Sequence, residues 1–303
     1  MSWLFFAFSG PVLWAISTHF DKYLVEKYFK QSDVAALLLF TAFIGVLTLP
    51  VIAFCEPAAI VSPGAGSIAL IVFSGILYMG AMLFYLRALQ SEEASVVTPF
   101  FQAVPLFGYA LAYFVLGERL SILQMAGGAL IIAGTLIVSV RFDRNARVFK
   151  WRLAVLMLAC GFAAALSGLI FKVFAIEVEF WVTTFWMFVG EAIFGTALLS
   201  IGSYRRQIVA VLRANTAALL TINGSNELIN LGGGLGNRYA LMFAPLSIVQ
   251  AIGSTTTLFV FAFGVALSVL FPRLARETLS LRDLVQKGTA ALFVAAGVAL
   301  VTR

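Results

Sequence analysis

Asn223, Glu227 and Asn230 stand four and three residues apart in a largely apolar stretch, so on a helix they share one face. A charged side chain at the centre of a bilayer costs at least about 2.5–3.5 kcal/mol, so this carboxylate needs water, a partner or a ligand. Two uses fit: a hydrogen-bonded seam between helices, or a cavity wall whose Glu227 binds a solute or carries a proton. Gly232-Gly233-Gly234 follow directly. They permit close helix packing and weaken the helix, which predicts a break there.

Two lysines recur in matching contexts, Ser17-Thr18-His19-Phe20-Asp21-Lys22 and Ser167-Gly168-Leu169-Ile170-Phe171-Lys172. Near helix ends, long cationic side chains snorkel to the headgroups. The recurrence raises the alternative that they close salt bridges or attract an anionic group. Asp21 could partner Lys22 only through a neighbouring helix, since adjacent residues on a helix do not face each other. Glu191 is either the structural partner of one of these lysines or a functional carboxylate. Trp14, Tyr78, Tyr85 and Trp186 fall at depths where an aromatic lines a cavity or packs in a core, while Trp3, Trp151 and Trp181 read as interfacial. Gln102 and Gln250 are placed to hydrogen-bond across the two halves. The candidate substrate-pathway set is thus Trp14, Lys22, Tyr78, Tyr85, Gln102, Lys172, Trp186, Glu191, Glu227, Asn230 and Gln250. Gly117-Glu118-Arg119 reads as a water-side turn with solvated charges.

Other chemistries find no footing. Gly-x-x-x-x-Gly-Lys is absent, and no His-Glu-x-x-His or Gly-x-Ser-x-Gly stands in an apolar run, which argues against an ATPase, a protease or an acyl hydrolase. Cys55, Cys160 and the lone His19 have no metal-ligand spacing. No metal site and no cofactor are expected, and both cysteines read as inert packing groups.

The elements that hold these residues are set by the solvent. The 303 residues are 62% hydrophobic and 11% charged, with a mean hydropathy of +1.02; soluble domains are about 25% charged. The chain reads as an all-α integral membrane protein. Ten apolar segments of about the 20 residues a bilayer requires run over 3–26, 33–54, 67–89, 94–116, 121–140, 153–175, 180–203, 217–238, 244–270 and 283–302. They are too long and too uniformly apolar for barrel strands. No Lys or Arg precedes the first apolar run and no cleavage signal follows it, so it reads as a membrane helix. The net charge of +6 lies in loops beside helix ends, which fits headgroups rather than nucleic acid.

The basic stretch 141–152 divides the chain into five-helix halves, 1–140 and 153–303. The halves are weakly alike: Gly45 maps onto Gly195, Gly80 onto Gly232, Ala88-Leu89 onto Ala240-Leu241 and Ser95-Val96-Val97 onto Ser247-Ile248-Val249. Five helices per half is odd, so the second copy enters the membrane upside down. Ten transmembrane helices in two inverted five-helix repeats follow, with the site near the midplane between them. Most basic residues fall on one side, with only Arg119, Arg238 and Arg303 on the other. By the positive-inside rule both termini lie outside.

Tyr85-Leu86-Arg87-Ala88-Leu89, Ala94-Ser95-Val96-Val97, Pro105, Leu116-Gly117-Glu118-Arg119-Leu120 and Gly127-Gly128 to Gly134 resemble the repeat of the drug/metabolite transporter superfamily, EamA-type family. The second copy is looser, with Tyr239-Ala240-Leu241, Ala244-Pro245-Leu246-Ser247, Glu277-Thr278-Leu279 and Gly288, and departs at 269–275. The resemblance implies an alternating-access carrier with no ATPase of its own. It also implies cytoplasmic termini, against the charge count; the charge count is the expectation kept here. The function expected is a multi-pass plasma-membrane carrier of small organic solutes, amino acids or related compounds, acting as a monomer or homodimer. A lipid flippase is the alternative, and a membrane-embedded transferase a more distant one.

Overall fold

A computed structural model describes residues 2–27, 35–91, 100, 103–139, 151–270 and 281–301. Among them every regular element is helical, as hydrocarbon demands of a chain that must satisfy its own backbone. In order these are α1 (Ser2–Lys27), α2 (Ala35–Ile44), α3 (Leu49–Cys55), α4 (Pro57–Ile60), α5 (Ala65–Ser91), α6 (Ala103–Leu116), α7 (Ile122–Ser139), α8 (Trp151–Glu177), α9 (Phe180–Ser200), α10 (Gly202–Ala218), α11 (Gly224–Ala240), α12 (Leu246–Gly253), α13 (Thr256–Leu270) and α14 (Leu281–Val301). A 3-10 turn, Gly45–Thr48, joins α2 to α3, and a π turn, Leu219–Asn223, joins α10 to α11.

Six stretches are long and apolar enough to cross a membrane: Trp3–Asp21, Leu38–Cys55, Ala65–Ala88, Trp151–Glu177, Phe180–Ser200 and Leu246–Ala266. Ala103–Leu116, Ile122–Ile137 and Gly288–Val301 are apolar but shorter. The count of ten spans is therefore not reached among the described residues. The eighth predicted segment, 217–238, is the one that drops out. It is helical, but Asn223, Asn226, Glu227, Asn230, Asn237 and Arg238 make it too polar to qualify.

Two further expectations are corrected. The triple glycine does not break its helix: α11 runs through it, Gly232 and Gly233 lie against the Leu13 and Trp14 side chains of α1 and serve close packing, and Gly234 faces open space. The break falls instead in the ninth segment, where Ser254 and Thr255 separate α12 from α13. Their hydroxyls donate to the carbonyls of Ala251 and Ile252 at 2.7 and 2.6 Å and help satisfy the interrupted backbone.

Helix pairing is reciprocal between the halves. α1 packs on α11 and α8 packs on α5; α6 packs on α8 while α12 and α13 pack on α1. α2 against α9, α6 against α12 and α7 against α14 pair each segment with its own counterpart. At the α7–α14 crossing the two backbones meet: a Cβ on Gly127 would lie 2.7 Å from the Gly297 carbonyl oxygen, and one on Gly297 would lie 2.6 Å from that of Gly127. Small residues let backbones meet in this way. Outward faces carry exposed apolar side chains such as Phe5, Phe54, Phe114 and Ile122. α10 is different: Arg205, Arg206 and Arg213 are exposed while Ile208 and Val211 are buried with Leu24, Leu38, Met79 and Leu198.

Candidate functional site

The π turn and α11 project a polar stripe toward α1, α2, α5 and α9, and Tyr78, Glu191, Glu227 and Asn230 of the candidate set gather there. A cavity of about 20 Å³, room for about one water, is lined by Thr41, Ile44, Tyr78, Phe188, Glu191, Glu227, Asn230, Leu231, Gly234 and Arg238. Glu227, Asn230, Leu231, Gly234 and Arg238 recur at three- and four-residue steps, one face of one helix.

Glu227 is 3% exposed. Its Oε1 accepts a hydrogen bond from the Thr41 hydroxyl of α2 at 2.9 Å, and its Oε2 has no partner. Asn226 donates to Asp21 Oδ1 of α1 at 2.7 Å. Asn223, wholly buried, has neither amide atom satisfied, and Asn226 Oδ1 is unsatisfied too. In native interiors such atoms are few. Three of them on two turns of one helix mark a place built to meet something else.

Glu191 pairs with Arg238, not with a lysine: Nη2 donates to Oε1 at 2.8 Å. Arg238 was assigned to a solvent-side helix end from its charge alone. Instead its guanidinium lies over the rings of Tyr78, Phe188 and Phe171, at 5.3, 5.3 and 5.8 Å from their centroids. An arginine is held by both its charge and its flat face in such a setting. What could have flagged it is Glu227, which lies eleven residues earlier and so on nearly the same face of α11.

Beyond Phe171 comes a second layer. Lys172, 6% exposed, forms an ion pair with Glu118 and donates to the Ala244 carbonyl at 2.7 Å. Glu118 also accepts from the Leu246 amide, at the start of α12, at 3.2 Å. Lys172 therefore bridges rather than snorkels, and the Glu118 charge is not solvated as expected. The turn that delivers Glu118 requires Gly117, whose φ of 64° suits glycine. Ser121 and Gln124 then start α7 with reciprocal side-chain-to-amide bonds.

The remaining candidates disperse. Tyr78 lines the cavity; Tyr85 packs near Cys160 in a separate apolar cluster. Trp14 lies against Gly233 and Gly10, and Trp186 donates to the Ile60 carbonyl at 2.9 Å. Gln250 reaches between α6 and α8, against Gly108 and Gly168, with Oε1 unsatisfied. Gln102 and the Lys22 side chain lie outside the described residues. His19 meets the Val260 carbonyl at 3.0 Å. Cys160 is buried and donates to Ala81 at 3.2 Å, whereas Cys55 is exposed and so is not a packing residue. No group of three or more His, Cys, Asp or Glu able to hold a metal occurs among the described residues.

Residues 1–140 match the sequence model of the EamA-like transporter family. No curated protein matches the chain. One crystal structure, described only as that of a protein, superposes with a TM-score of 0.67 over 99% of this chain and 96% of its own, at 14% identity. At that identity the likeness shows the fold alone. Both halves together thus take a shape found elsewhere as one chain.

Proposed function

On the premise that residues 1–140 form an EamA-like transporter segment, we propose that the whole chain is a multi-pass secondary carrier of small organic solutes in the plasma membrane. Amino acids or related compounds are the cargo class, and export is the direction. It works by alternating access between two inverted repeats, with the α11 cavity as the binding site. The observation that carries this reading is the small cavity on Glu227, walled by helices of both halves. Reciprocal helix pairing supports the repeats: α1 on α11 answers α5 on α8, and α6 on α8 answers α12 and α13 on α1.

A flippase finds support in one feature, an apolar groove of about 670 Å³ between α1, α13 and α14. Its one hydroxyl, that of Thr255, is committed to the Ile252 carbonyl, so no polar anchor for a headgroup stands there. The solute reading is therefore preferred.

Counterflow in proteoliposomes, across metabolite classes and with or without a pH gradient, is the direct test. Saturable exchange that Glu227→Ala abolishes in folded protein is expected. Lipid scrambling without solute flux would overturn the reading in favour of a flippase.

A further inference from the structure

We propose that Glu227 of this site, with Asp21 of the neighbouring α1 held by the adjacent Asn226, binds the solute by its positive end, and that the cargo carries a protonated amine. This rests on the carrier reading and adds the chemical class of the cargo. Charge balance carries the first step. Four acidic side chains stand within or at the edge of the bundle interior: Asp21, Glu118, Glu191 and Glu227. Lys172 neutralises Glu118, and Arg238 neutralises Glu191. Among the described residues Asp21 and Glu227 meet neutral donors, Asn226 for the first and Thr41 and Asn230 for the second, and no cation. A carboxylate as buried as Glu227 and left without a cation is costly, so a positive group from outside is the natural complement.

The unsatisfied atoms supply the second, independent step. Glu227 Oε2, Asn226 Oδ1 and Asn223 Oδ1 are three acceptors wanting donors, against a single unsatisfied donor group, Asn223 Nδ2. All three residues are at least nine-tenths buried. An ammonium presents three N–H donors and no acceptor. A carboxylate would bring acceptors to acceptors and add a third negative charge. The one cation lining the cavity, Arg238, is already engaged by Glu191 and three rings. Ile44, Tyr78, Phe188 and Leu231 form the apolar part of the wall, suited to the hydrocarbon or aromatic body behind the amine.

Three probes that share one ring and differ in charge test the assignment on the purified full chain: phenethylamine, 2-phenylethanol and phenylacetate. Phenethylamine alone should raise the melting temperature, increasingly with its concentration. Glu227→Gln and Asp21→Asn keep hydrogen-bonding side chains, and each should weaken that binding by about tenfold or more while melting near the unmodified protein without ligand. An amine response unchanged in both variants, or stabilisation by phenylacetate in its place, overturns the proposal. Counterflow separates it from the carrier reading. Flux of neutral or anionic solutes that excludes amines overturns the amine assignment alone, whereas amine binding without flux of any solute supports the site and removes the carrier.

Discussion

Lys172 of the second half is ion-paired to Glu118 of the first, and the same carboxylate accepts from the Leu246 amide where α12 begins. One interaction thereby ties α8, the 117–121 turn and α12 together at one end of the bundle. Opening that end must break it. Lys172→Met should favour the open form, seen as several-fold faster labelling of a cysteine placed at Tyr78 by an impermeant maleimide. The exchanged pair Lys172→Glu with Glu118→Lys should restore slow labelling; equal rates in all three proteins would remove the latch.

Arg238 and Glu191 make a different prediction, because both are deep and each satisfies the other. Arg238→Ala strands the Glu191 carboxylate and should cost about 3–5 kcal/mol, read as a lower melting temperature. Replacing both, Arg238→Met with Glu191→Leu, should recover most of that stability, since buried pairs are often matched by apolar packing. Transport should stay lost in the double variant. Recovery of flux there would make the pair scaffolding only.

The Gly127–Gly297 crossing leaves no room for a side chain. Gly127→Val should push α7 off α14 and lower stability by about 1–3 kcal/mol, the usual range for overpacking. Gly128→Val, one residue on, should cost less, because its nearest neighbour is the Ile248 Cδ1 atom at 3.8 Å. Thermal melts of the two variants check the contrast.

Orientation can be tested through the termini. Arg238 belongs to the cavity, so removing it from the loop tally leaves the charge asymmetry sharper, with both termini expected outside. Tags at the two ends should be accessible in sealed cells. Exclusively cytoplasmic tags would show that the charge count misleads.

The helices and the Glu227 face were legible because bilayer length and helical period both leave direct marks on sequence. Arg238 and Glu118 were misread for one common reason: a charge near the end of an apolar run looks solvated unless its partner, far away in sequence, is known. Glu191 lies 47 residues from Arg238, and Lys172 54 residues from Glu118. The helix α10, Gly202–Ala218, was hidden by Arg205, Arg206 and Arg213, which depress hydropathy without interrupting the helix. The break between α12 and α13 did leave a signal, the run Gly253-Ser254-Thr255-Thr256. Hydroxyls able to take over broken backbone bonds cluster there, but the apolar average smoothed them away.

The π turn at Leu219–Asn223 joins two amphipathic helices whose faces answer to different surroundings. α10 turns arginines to water and Ile208 and Val211 inward; α11 turns asparagines and Glu227 inward. One residue added to a helix rotates everything beyond it by about 100°. The turn thus acts as a phase shifter, setting the angle between a basic surface helix and a buried polar one along a single continuous rod. Deleting one residue within 219–223 would keep the composition of both faces almost intact and still aim one of them wrongly: either the arginines would swing toward the core, or Glu227 toward lipid.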